Sequence, residues 1–155
     1  MNQSPQTHFK NTLLTVVGQA FDAAGYTLVD RPVQHAAGQF RFVKPLDGGL
    51  MGFIEFQLLS YTDTEWSAGM PSRFRVTLTR TDQAEPLTAS EHTAFIQRTL
   101  SALVVDDFGV NILPSAKHWW SFRSVEDLGK ALAEAGPLII GYGIPWLAGD
   151  LEPDG

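Results

Sequence analysis

Between Gln39 and Thr81 the chain alternates apolar and polar residues, and no other feature restricts its fold as much. The stretch reads Q-F-R-F-V-K-P-L-D-G-G-L-M-G-F-I-E-F-Q-L-L-S-Y, then a polar loop, then R-F-R-V-T-L-T-R-T. Three alternating runs separated by turn residues predict a half-buried antiparallel meander. Successive strand side chains point to opposite faces, so residues of one parity share a face. The even positions are Phe40, Phe42, Ile54, Phe56, Leu58, Phe74, Val76 and Leu78, a core face. The odd positions include Arg41, Val43, Phe53, Glu55, Gln57, Leu59, Arg73, Arg75 and Thr77, an outer face.

A slip of one residue would invert every side chain, so the first hairpin must preserve parity. A loop of Asp47-Gly48-Gly49 closed by Leu46 and Leu50 does so, and three-residue loops with a left-handed Gly are a common hairpin class. That register sets Arg41 opposite Glu55. An exposed pair of this kind contributes only about 0.2–1 kcal/mol, so it marks the register more than it stabilises the sheet.

Around the meander, Phe9, Leu13, Val16, Val17, Ala20, Phe21 and Ala24 recur at helical spacing. Ser4 as N-cap, Pro5 at the first position and Gly25 as a stop predict a helix from Pro5 to Ala24. Tyr26 to Val29 reads as a short strand and Val33 to Gly38 as a turn. Thr88-Ala89-Ser90-Glu91 matches a capping box and predicts a second helix, with Phe95, Ile96, Leu100, Leu103 and Val104 inward, ending near Asp106. Ser124 caps a third helix that Gly136-Pro137 should stop, and Leu138 to Leu147 reads as a last, broken helix. These elements predict an α+β fold: a four-stranded antiparallel meander sheet covered on one face by N-terminal and C-terminal helices.

At 155 residues, with 44% hydrophobic and 18% charged content, the chain is expected to form one globular domain over residues 1–155. Seventeen acidic against 11 basic residues give a net charge of −6, a balance that argues against a nucleic-acid partner. The lack of cysteine rules out disulfides, thiolate catalysis and Cys-ligated zinc. No signal-peptide pattern opens the chain, and Leu138 to Leu147 is shorter than the ~20 residues of a membrane span. A cytoplasmic protein with no membrane partner is the expectation.

Taken in order, several motifs resemble the bacterial family known as domain of unknown function 4304. They are F-K-N-T-L-L and A-G-Y near the start, Q-F-R-F and F-I-E-F-Q in the strands, then H-T-A-F-I-Q-R-T-L-S-A-L. H-W-W-S-F-R-S-V-E-D-L and Y-G-I-P-W-L complete the set, which spans about Phe9 to Leu147. The chain departs from the family pattern at Arg98-Thr99-Leu100, where the family tends to have Arg followed by Gly, and in a more basic strand after the long hairpin. The resemblance implies an α+β domain without an established activity. An immunity-like or partner-binding role follows only by analogy with other small bacterial domains.

No catalytic signature stands out. His8, His35, His92 and His118 lie in separate segments without metal-ligand spacing, so no metal or cofactor is expected. Glu55, a lone carboxylate in an apolar strand, is a candidate acid or base, although pairing with Arg41 accounts for it. Asp106-Asp107 sits where a helix ends, against the macrodipole. His118-Trp119-Trp120-Ser121-Phe122 is a dense aromatic run in which alternation sends Trp119 and Trp120 opposite ways.

The strongest candidate surface is the odd sheet face, with Arg41, Phe53, Glu55, Gln57, Arg73 and Arg75 beside Leu59 and Tyr61, and with Trp119 added. Aromatic and arginine side chains together are a common recognition surface. The predicted function is a non-catalytic protein-binding module with a protein partner. The alternative is a small-molecule binder or hydrolase with a pocket between the sheet and the Trp119/Trp146 region.

Overall fold

The structure, a computed structural model, describes residues 4–59 and 72–153. Strands β2 (Gln39–Pro45), β3 (Met51–Leu59) and β4 (Ser72–Thr81) form the antiparallel meander that alternation predicts. Phe40 pairs with Phe56, Phe42 with Ile54, and Leu58 with Phe74, so the even residues of all three strands share a face. None of the even core residues from Phe40 to Leu78 is more than 4% exposed. The turn is the expected one: Leu46 N–H donates to the Leu50 carbonyl at 2.7 Å. Gly48 and Gly49 take φ of 72° and 76°, which a side chain would oppose.

The sheet has six strands, not four, among the described residues. β1 (Thr27–Leu28) pairs with β2 on one side. On the other, β4 pairs with two short strands end to end: β5 (Ile96–Thr99) along Thr77 to Arg80 and β6 (Trp120–Phe122) along Ser72 to Phe74.

β5 lies where the second helix was expected, and the reason is local. Ser90 Oγ donates to Asp82 at 2.6 Å and accepts from His92 N–H at 3.2 Å, while His92 Nδ1 accepts from Ala94 N–H at 3.0 Å. Such side-chain bonds offer the backbone an alternative to a helix. The helix cap is instead Thr99, whose hydroxyl accepts from Ala102 N–H at 3.3 Å to start α4 (Leu100–Ala102). α4 continues into a π-helical turn, Leu103–Asp107. Arg98 of β5 clamps Asp107 with two bonds of 2.9 and 2.7 Å, neutralising an acid that opposes the helix dipole.

The N-terminal helix is α1 (Pro5–Leu13), a π-helical turn (Leu14–Gly18) and α2 (Gln19–Ala23), with Ser4 Oγ accepting from Thr7 N–H at 3.1 Å. Residues expected as a turn form the short α3 (Pro32–Ala36). At the C-terminal end, α5 (Val125–Leu138) does not stop at Gly136-Pro137. It runs on through a π-helical turn (Ile139–Gly143) into α6 (Ile144–Ala148). The carbonyl that Pro137 cannot satisfy belongs to Ala133, and both residues are exposed, so water can take the place of the missing N–H.

Gly136 has another use: a Cβ there would lie 3.0 Å from Val17, so its absence lets the two helices approach. Gly143 has the same relation to Leu78 of β4, also at 3.0 Å. The combined helix Val125–Ala148 is 24 residues long and apolar enough by length and composition to cross a membrane, but half of its most apolar stretch is buried inside the protein.

Aromatic rings fill the core. Phe9 of α1 lies 5.2 Å from Phe40, 6.4 Å from Phe56 and 5.4 Å from Phe74, and Phe21 of α2 lies 5.0 Å from Phe42. Burying each such ring stabilises by about 1.5–3 kcal/mol. At one end of the sheet, Arg80 donates to the carbonyls of Ala94 and Leu147 at 2.9 and 3.1 Å, tying β4 to the end of α6.

Gly38 joins α3 to β2 with φ of 85°, and a Cβ there would come within 2.5 Å of the Leu58 carbonyl. That contact is with backbone, which cannot swing away. Gly38→Ala is expected to lose at least about 1–2 kcal/mol in urea denaturation; an unchanged midpoint would contradict this account of the turn.

Candidate functional site

The outer sheet face divides into two groups along its register. Arg41 lies opposite Glu55, as expected, and Glu55 opposite Thr77. One step along, Gln57 lies opposite Arg75 and Leu59 opposite Arg73. The first group is largely buried and the second carries the surface.

In the first group Arg41 is only 6% exposed. Its Nε donates to Glu55 at 3.2 Å and its Nη1 to Glu85 at 2.7 Å, while its guanidinium carbon lies 5.6 Å from the centre of the Phe53 ring. Phe53, expected on the surface, is 2% exposed. Glu85 reaches this spot from the segment after β4, where the next residue, Pro86, is buried as well. The Arg41 hydrogen bond holds the Glu85 carboxyl below its usual range. Arg41 therefore binds a surface segment to the sheet over Phe53. This partner was not legible in the sequence, because nothing local connects positions 41 and 85.

The second group is built around Trp119. Its indole centre lies 4.6 Å from the guanidinium carbon of Arg73 and 4.8 Å from that of Arg75. The register explains the meeting: Phe74 pairs with Trp120, so one more step sets Trp119 beside Arg75. The backbone there is held from both neighbours of Trp119. The His118 carbonyl accepts from Ser101 Oγ at 2.9 Å. On the opposite face Trp120 stacks on Phe74 at 5.6 Å and donates Nε1 to Glu134 at 3.2 Å. Alternation thus sorts the two tryptophans as predicted, one into the core and one onto the arginines.

Arg75 is further oriented by Gln57, whose Oε1 accepts from its Nε at 3.0 Å. Arg73 Nε is shielded from solvent and has no acceptor among the described residues. Neither arginine forms an ion pair among the described residues. Two cations thus lie against one indole, each contact contributing about 0.5–1 kcal/mol when exposed and more when desolvated. Gln57, Arg73, Arg75 and Trp119 are brought together, whereas Arg41, Phe53 and Glu55 form the packed layer beside them. Tyr61 lies outside the described residues.

The histidines are structural in their surroundings. His35 stacks on Phe40 at 4.9 Å and bonds to the Val29 backbone, and burial pushes its pKa down. His118 sits edge-on to Trp120 at 4.9 Å, and burial lowers its pKa against the upward pull of Glu134. Trp146 belongs to the same core cluster as Trp120. Among the described residues no group of three or more His, Asp or Glu could hold a metal.

Comparison with family models, curated proteins and solved structures finds no match to this chain. The resemblance to domain of unknown function 4304 accordingly rests on its ordered motifs alone.

Arg41→Ala strips Glu55 and Glu85 of their shared donor and uncovers Phe53. It should lower stability by about 1–3 kcal/mol in chemical denaturation, the range for bonds to charged groups; a loss indistinguishable from zero would show that the segment is held otherwise. Acid should act on His35, His118 and Glu85, three of the groups whose folded pKa values are depressed. Each contributes stability above its ordinary value, 6.5 for His35 and His118 and 4.5 for Glu85, and loses it as pH falls through the folded value. The denaturation midpoint should therefore fall from about pH 6.5 downward. His35→Gln should flatten the upper part of that slope, and an identical slope would assign it to other groups.

Proposed function

We propose that the chain is a non-catalytic protein-binding module that meets its partner with the outer sheet face. In this reading the helices close the even face, and Gln57, Arg73, Arg75 and Trp119 make the contact. The observation that supports it is the Trp119 indole set against two guanidinium groups that have no ion-pair partner among the described residues. Tryptophan and arginine are the residues most enriched in binding hot spots, where truncation costs about 2 kcal/mol or more. Arg41, Phe53 and Glu55 supply the packed layer that keeps this surface in place. A cytoplasmic bacterial setting and an immunity-like role, in which the partner's activity is what the module controls, accord with the family resemblance. The packing favours this reading over a pocket near Trp146, since Trp146 and Trp120 both lie in the core cluster.

The test is affinity capture with the tagged chain from its host's lysate, followed by mass spectrometry of the bound proteins. A stoichiometric partner is expected, with capture reduced at least tenfold by Arg75→Ala and by Trp119→Ala. Both variants should stay cooperatively folded, with the midpoint lowered only by the lost cation–π contacts, about 0.5–1 kcal/mol each, because neither side chain belongs to the core cluster. Undiminished capture by both variants would exclude the outer face as the contact.

A further inference from the structure

Two guanidinium groups against one indole, without an ion-pair carboxylate among the described residues, form an unusual arrangement in a chain that carries 17 acidic residues and a net charge of −6. Resting on the protein-binding reading, we infer that this site recognises an extended acidic segment of the partner, with carboxylates at alternate positions.

The geometry supplies the reasons. Arg73 and Arg75 are alternate residues of β4 and project to the same face. Such residues stand roughly 7 Å apart, twice the rise of a strand. A second extended chain repeats at the same interval, so acidic residues at i and i+2 match the two arginines one to one. A guanidinium held against an aromatic ring still presents its donor edge in its own plane, and that edge fits a planar carboxylate through two parallel bonds. Gln57 accepts from Arg75 Nε, which leaves that group's terminal nitrogens to donate. The indole offers apolar contact to the residue between the two acids.

A nucleic-acid backbone fits less well. It would bring many phosphates up to a surface of net negative charge, for which two arginines are a small counterweight. Long-range repulsion also acts on an acidic peptide, but a short segment meets it at only a few charges.

The experiment measures fluorescence anisotropy of two labelled peptides with the full-length chain. One alternates Glu and Thr over eight residues. The other repeats Glu-Glu-Thr-Thr, with the same composition but no two carboxylates at i and i+2. The alternating peptide should bind at least tenfold more tightly and weaken with added salt. Arg73→Gln and Arg75→Gln should each reduce its affinity at least tenfold, and Arg75→Lys should not restore it, since lysine keeps the charge but lacks the fork. Equal affinity for the two peptides, or no effect of the arginine variants, would overturn the inference. So would a single-stranded oligonucleotide that displaces the peptide at a lower concentration of negative charge. If Trp119→Ala still abolishes capture of a stoichiometric partner while the peptides bind alike, the acidic assignment alone falls. If neither capture nor peptide binding responds, the protein-binding reading falls with it.

Discussion

Everything on the sheet takes its side from the three-residue turn at Asp47–Gly49. With that turn in place, Arg41 meets Glu55, and Phe40, Phe42, Ile54, Phe56, Leu58, Phe74, Val76 and Leu78 are all buried. Shifted by one, the same strands would present a row of phenylalanines to water and a row of arginines to the core. Unpaired charges in an apolar interior are too costly for that register to compete. The register is therefore enforced twice, by the left-handed glycines of the turn and by the composition of the two faces.

That enforcement also explains why the outer face behaves differently along its length. Near Arg41 it is packed, with the Arg41 guanidinium over Phe53 and bonded to Glu85 of the segment after β4. Near Arg75 it is dressed by a single indole, delivered by the short strand β6 from a distant part of the chain. Trp119 is held from both neighbours, one bound through its carbonyl and the other stacked in the core. Its position against the arginines is thus inherited from packing on the opposite face of the sheet.

The period-two pattern made the three meander strands, their faces, the turn, the Arg41–Glu55 pair and the division of the two tryptophans legible in the sequence. Those features follow from nearest neighbours and parity. What escaped were features decided by tertiary contact. The Thr88 to Glu91 box has the residues of a helix start, but Ser90 and His92 bond to nearby groups, and Ile96 to Thr99 find an open edge of β4. Thr99, a cap in its own right, was hidden inside the expected helix. Gly136-Pro137 has the residues of a stop, yet the glycine makes room for Val17 and the proline faces water. Of the candidate site, the arginines and Trp119 were legible singly. Their meeting depends on the pairing of β6 with β4, which no short-range signal encodes.

The three π-helical turns among the described residues, Leu14–Gly18, Leu103–Asp107 and Ile139–Gly143, bear on how such a chain can change length. A π turn holds one residue more than an α turn and lets the helix resume beyond it. Phe108 N–H reaching back five places to the Leu103 carbonyl shows the surplus being taken up in a single bond. The helices of this protein can therefore absorb an inserted residue locally, at the cost of a bulge. In a strand the same change is more disruptive, since one added residue within β3 must either form a bulge that breaks the ladder or reverse every side chain beyond it. Insertions and deletions should accumulate over a lineage in the helical layer and at loop tips, while the meander keeps its length residue for residue.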